Sequence, residues 1–178
     1  VIPENYLRIE ILREAAALVI LVSVAALAGR GFWEHFGWFL TIFGVSEIFY
    51  YVWLKAATGW PDSLFTWDIL ALIPVPWAGP VIAPIVIALF MVVIGTLITI
   101  MHAKGYIFRP TGLTWAAVML GTAVLLLSFW GHAEATLEQV LPESYPYWML
   151  LLGLALYLVG FWHTWHVTFS GIEKSPGN

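Results

Sequence analysis

Residues 67–103 read WDILALIPVPWAGPVIAPIVIALFMVVIGTLITIMHA, and the division of this stretch decides how often the chain crosses a membrane. As one continuous helix at about 1.5 Å per residue it would be roughly 55 Å long, far beyond a hydrocarbon core about 30 Å thick. It must break. Pro74, Pro76, Pro80 and Pro84, with Gly79, supply the break, because proline lacks an amide donor and disfavours helix in the residue before it. The spacing predicts a short helix over 66–73, an irregular elbow over 74–80 and a full span over 81–103. Ser63 or Thr66 would cap the short helix, with Asp68 in its first turn facing the positive dipole end.

Outward from this stretch, apolar runs predict further spans over residues 8–29, 31–55, 112–131 and 147–169. Arg13 and Glu14 lie at the polar end of the first. The fourth is rich in small residues that allow close helix approach. An acidic loop, GHAEATLEQVLPESYP, separates the last two, and no repeat or linker divides the chain. The fold expected is all-α and integral to the membrane: a bundle of about five transmembrane helices with a Pro-broken short helix before the third span, forming a single polytopic domain over 1–178.

Composition agrees. Of 178 residues 61% are hydrophobic and 10% charged, where a soluble domain carries roughly a quarter charged. Eleven Trp, eleven Phe and seven Tyr supply interfacial belts. A net charge of −4 with seven Lys and Arg gives no basic stripe for nucleic acid. With no cysteine there is no disulfide, thiolate metal site or Cys nucleophile. The opening residues, VIPENYLRIEILRE, do not read as a removable signal peptide.

Successive spans run in opposite directions, so the start of the second and the ends of the third and fifth share a face. That face receives His35, His102, His163 and His166, with Glu34 beside them, and the other receives Glu14, Asp62, Asp68, His132 and Glu134. Arg30, Lys104, Arg109 and Lys174 lie on the histidine face against Arg8, Arg13 and Lys55 on the other. By the positive-inside rule the histidine face and the C-terminus are cytoplasmic, by a margin of one charge, and the membrane expected is a bacterial inner (cytoplasmic) membrane.

Imidazoles are scarce in lipid-embedded sequence because each needs a partner, so a gathered set points to chemistry. His163 and His166 stand i,i+3 and share a helical side, where they could bind one metal, with His102, His35 and Glu34 as further donors. Neutral imidazole also serves as axial ligand to haem or to the magnesium of a chlorin. The bland alternative is interfacial histidines beside Trp162 and Trp165, satisfied by headgroups and water. No EXXH element or repeated His box is present. Glu47, inside an aromatic span, is a candidate proton or quinone-site carboxyl, or a protonated acid bonded to a neighbouring helix. Asp68 would line a cavity if the broken segment shelters one. His132 and Glu134 could bind a ligand or shuttle protons, or be ordinary loop residues.

In length and span count the chain resembles the tryptophan-rich sensory protein/translocator family. That family's Pro-Val-Trp-Thr arrangement is absent, the nearest strings being PVPWAGPV at 74–81 and GLTWAAV at 112–118, so no ligand or mechanism carries over.

The leading expectation is a cofactor-binding or accessory subunit of a membrane electron-transfer or photosynthetic assembly, its histidines ligating haem, chlorin or a transition metal. The alternative is a cofactor-free binding or transport protein for a lipid, quinone or other apolar small molecule, using Glu47 and the Pro-broken segment, with Trp60, Trp67 and Trp77 as walls. A metal-assisted enzyme lacks any recognised catalytic spacing, and a scaffold subunit needs none. Expected partners are membrane lipid and other membrane-protein subunits, without nucleic acid.

Overall fold

The structure, a computed structural model, describes residues 4–71, 77–131 and 144–170. Among the described residues the helices are α1 (Glu4–Ala28), α2 (Phe32–Thr58), α3 (Ile82–Ala103), α4 (Gly112–Trp130) and α5 (Tyr147–Ser170), and these five are long and apolar enough to cross a membrane. Their outward faces carry Ile20, Leu27, Val93, Met119, Leu151 and Val159, all more than half exposed. A water-soluble bundle would bury such side chains; lipid accepts them. The chain is thus an integral membrane protein, and its contact with lipid follows from the fold.

Two helix pairs form the body. α2 and α3 pack closely because glycines remove side chains from their seam: a Cβ at Gly95 would lie 2.5 Å from the Gly37 carbonyl oxygen and 2.6 Å from Thr41 Oγ1. Gly37 and Gly44, two turns apart, present the same face of α2, and a Cβ on Gly44 would run into the Ala88 backbone of α3.

The second seam joins α4 to α5 through glycine and hydroxyl groups. A Cβ at Gly121 would approach the Gly153 carbonyl at 3.0 Å. Thr114 and Thr164 hydroxyls meet at 2.8 Å, Thr122 and Tyr157 at 2.8 Å, and Ser128 and Tyr145 at 2.9 Å. In hydrocarbon each such bond satisfies groups that water cannot reach, and is worth on the order of 1 kcal/mol. α1 packs on α2 and on no other helix to a comparable extent.

The segment between α2 and α3 differs from expectation. The described part of the expected 66–73 helix is not helical: Trp67–Ala71 is a strand, β1, paired antiparallel with β2, Trp77–Pro80. Trp67 opposes Pro80, Asp68 opposes Gly79, Ile69 opposes Ala78 and Ala71 opposes Trp77, with a bulge between Ile69 and Ala71. A helix of two turns is marginal by itself, Trp and Ile favour strands, and Pro80 sits at a strand end where its missing donor costs little. The expected caps close a turn instead, the Thr66 amide donating to the Ser63 carbonyl at 3.2 Å and the Ser63 amide to Thr66 Oγ1 at 3.1 Å. Val81 and Ile82 amides then donate to the Thr66 and Leu64 carbonyls at 3.0 and 2.8 Å, tying the start of α3 to the hairpin.

α2 ends where Gly59 adopts a left-handed conformation (φ 78°) and its amide bonds the Lys55 carbonyl. Lys55 Nζ then donates to the carbonyls of Gly59 and Pro61, both at 2.7 Å. At the opposite end Glu34 of α2 lies 3.6 Å from His102 of α3, so these helix ends share a face. The hairpin therefore returns to the face it left and does not cross, which keeps the alternation of spans that the sequence implies.

Candidate functional site

Between the two helix pairs lies a crevice of about 410 Å³, partly open to its surroundings. It exists because the backbone of α3, close to that of α2, stays away from α4 and α5 and meets them through side chains at its two ends, around Ala83 and around Ile98. From α3 come Phe90, Ile94 and Ile98, and from α4 and α5 come Val118, Thr122 and Tyr157. Rings close both ends. On the histidine face Trp33 meets Phe108 at 4.9 Å and Trp115 at 6.3 Å between centroids. On the hairpin face Trp77 lies nearly parallel to Phe129, at 6.0 Å and 19°. Midway, Phe90 stacks on Tyr157 at 6.0 Å. The volume falls in the range of small-molecule sites, and its few polar groups, such as Thr114 and the Thr122–Tyr157 pair, already bond one another or the backbone.

The histidines share a face but go to separate neighbours. His102 pairs with Glu34, which also accepts the Arg30 amide at 2.8 Å. Both placements suit their helix ends, the acidic side chain in the first turn of α2 and the basic one in the last of α3. His35 lies against Gly29 at the α1–α2 corner, where a Cβ on that glycine would be 2.5 Å from the ring. His163 Nδ1 is 3.1 Å from the Thr111 hydroxyl, whereas His166 stands exposed, edge-on to Trp162 at 4.6 Å. Among the described residues no three His, Asp or Glu side chains converge as a metal would require.

On the hairpin face the Tyr51 hydroxyl donates to Asp68 Oδ2 at 2.9 Å, fastening α2 to β1. Glu47 lies within electrostatic reach of Arg13, Asp68 and Glu14, and Arg13 is clamped by Glu10. This polar group sits where α1, α2 and the hairpin meet, and Glu47 and Asp68 are not on the crevice wall. Of Trp60, Trp67 and Trp77 only Trp77 lines the crevice; Trp67 packs against the core around Leu150 and on Tyr145 at 6.1 Å. Asp62 is exposed. His132 and Glu134, and the loop they belong to, lie outside the described residues, as does Lys174.

Burial pushes the Asp68 carboxyl above its ordinary value, against the smaller opposing pull of Tyr51 and the Ile69 amide. A carboxyl raised on folding contributes stability that is fully present below its unfolded pKa and lost as pH rises through the folded one. Thermal unfolding of the micellar protein should therefore show falling stability from the ordinary aspartate range upward. Asp68→Asn, which keeps an acceptor for Tyr51, should flatten that slope; an unchanged slope would assign it to other groups. Tyr145, buried and bonded to Ser128, is pushed up to about 12 and stays neutral throughout that range.

The crevice walls were not legible as a site, since Phe90, Val118, Thr122 and Tyr157 belong to three different helices and carry no local signature. The Gly37 and Gly44 spacing was the available clue, because a seam that tight commits α3 to α2 and withholds it from α4. No protein-family model, curated protein or solved structure matches the chain.

Proposed function

We propose that this membrane protein binds an elongated apolar molecule of the bilayer in the crevice between its two helix pairs. The observation that carries the reading is the crevice itself: about 410 Å³ of aromatic and aliphatic wall, reachable from lipid and closed by rings at both ends. The wall provides dispersion contact and flat ring faces, while its hydroxyls are already engaged, which favours a ligand recognised by shape and apolar area. This reading places binding in the crevice and gives the histidines roles at helix ends and at the interface, with no haem, chlorin or metal assigned to them.

The test is photolabelling of the reconstituted full chain with a diazirine-bearing long-chain hydrocarbon, followed by mapping of the labelled peptides. Labels are expected on α3 and α4 at Ile94 and Val118, and Val118→Trp should reduce them at least about tenfold while labelling of the outer face at Val93 and Met119 persists. Equal labelling of crevice and outer face, unaffected by Val118→Trp, would end the proposal, as would stoichiometric haem or chlorin in the optical spectrum of the purified protein.

A further inference from the structure

On α4 the crevice wall is a continuous stripe, since Thr114, Val118, Thr122, Leu125 and Phe129 recur every three or four residues and share one side of the helix. From Thr114 to Phe129 the rise is about 22 Å, against the roughly 15 Å that one leaflet contributes to a core about 30 Å thick. A single acyl chain of one leaflet thus has wall along its whole length.

The two ends of the stripe differ in charge. On the hairpin face the carboxylates Glu10, Glu14, Asp62 and Asp68 gather, and the described cations are engaged: Arg13 by Glu10, Lys55 by the Gly59 and Pro61 carbonyls, and Arg8 by an interaction of its own. On the histidine face Phe108 and Pro110 line the crevice, and Arg109 between them is exposed. Lys104, at the other end of the same connection, is exposed too, and neither forms an ion pair among the described residues. Tyr106 and Phe108 pin that connection against Phe169 and Trp33, at 4.7 and 4.9 Å between centroids, so its cations stay at this rim. Arg30 is a further exposed cation of the face, whose carboxylate, Glu34, lies against His102 and the Arg30 amide. Half-exposed Trp115 stands at the same level, where indoles meet headgroups.

From this polarity we infer that the crevice occupant is an anionic phospholipid of the leaflet on the histidine face, one acyl chain laid between α3 and α4 and its phosphate held by Lys104 and Arg109. The inference rests on the crevice being a binding site, and adds the ligand's class and orientation. Guanidinium and ammonium groups both bind phosphate well. A zwitterionic headgroup carries its own ammonium, which the same cations repel, so they select for net negative charge.

The experiment places the full chain in phosphatidylcholine nanodiscs with either of two photoprobes that share one diazirine-bearing acyl chain, a phosphatidylglycerol or a phosphatidylcholine. At low salt the phosphatidylglycerol should label the crevice walls at Ile94 and Val118 about tenfold more, since each basic residue near a phosphate is worth about fivefold. With the diazirine next to the headgroup its label should fall near Trp115, and with the diazirine at the chain end near Leu125. Lys104→Gln combined with Arg109→Gln should bring the phosphatidylglycerol down to the level of the phosphatidylcholine, while Arg8→Gln, on the other face, changes neither. If the double variant does not fold, the unaltered protein answers the same question, since added salt should screen the headgroup contacts and close the gap between the probes.

Equal labelling of the crevice by the two probes, a preference that survives the double variant or high salt, or one that Arg8→Gln removes as fully, would overturn the inference and leave the crevice standing as a site for uncharged chains. A headgroup-proximal label near Leu125 would put the phosphate on the hairpin face and overturn it as well. If neither probe labels the crevice above the outer face at Val93 and Met119, the crevice reading itself falls.

Discussion

Gly95→Leu should lower the stability of the bundle by about 3 kcal/mol, at the upper end for overpacking, because the clash is with backbone as well as side chain. A Cβ there would stand 2.5 Å from the Gly37 carbonyl oxygen, 2.6 Å from Thr41 Oγ1 and 2.8 Å from the Thr41 amide nitrogen. Neither helix can yield by turning a rotamer, so α2 and α3 must separate and lose dispersion contact along their whole seam. Gly112→Leu is the control, since a Cβ at Gly112 meets nothing within 4 Å. Unfolding by a denaturing detergent, followed by circular dichroism, should place the midpoint of Gly95→Leu well below that of Gly112→Leu. Coincident midpoints would mean that the seam is not held by close backbone approach.

Trp77→Ala should remove about 3 kcal/mol, in the range for deleting a large aromatic from a packed site. Its ring contacts Phe129 and Trp130 and packs against the cluster of Ala83, Leu125, Phe129, Tyr145, Leu150 and Leu154. That one side chain seats β2 on the α4–α5 pair. Its loss should accelerate hydrogen exchange at the paired amides of β1 and β2 as well as lowering the unfolding midpoint. Trp53→Ala, which removes a residue that is 66% exposed, should do neither. A stable Trp77→Ala protein with protected hairpin amides would show that the Tyr51–Asp68 bond and the Thr66 and Leu64 carbonyls anchor the hairpin alone.

Span placement was readable because hydrocarbon thickness and apolar run length are tied by a fixed rise per residue; the expected 81–103 is observed as Ile82–Ala103. The shared face of His35, His102, His163 and His166 followed from counting crossings, and the Glu34–His102 and Thr111–His163 contacts agree with it for the ends of α2, α3 and α5. Counting crossings gives the height of a residue and not its azimuth. His163 and His166 share a helical side by spacing, yet one meets a hydroxyl of the neighbouring connection and the other lies exposed beside Trp162.

The hairpin was hidden for a different reason. Prolines at 74, 76 and 80 exclude continuous helix but are equally compatible with an elbow or with strands whose partners lie a few residues away. What decided was tertiary: the strands gain the Phe129 and Tyr145 rings as a floor, and a Cβ at Gly79 would come within 3.0 Å of Phe129. Glu47 stood out as an acid inside an aromatic span for sound reasons of solvation, but its neighbours Arg13 and Glu14 come from α1, whose azimuth around α2 no run of residues discloses.

Because glycine closes one seam and hydroxyl pairs latch the other, each helix couple can move as a unit. The short stretch from Lys104 to Thr111, with Tyr106 and Phe108 anchored in aromatic contacts, joins them on the histidine face. A few degrees of swing about that hinge would have to part Trp77 and Ala83 from Leu125, Phe129 and Leu154 at the far rim, without breaking a hydrogen bond in either couple. Admission and release of a guest from the side would then be a rigid-body motion, governed by how tightly the rings at the rim hold together.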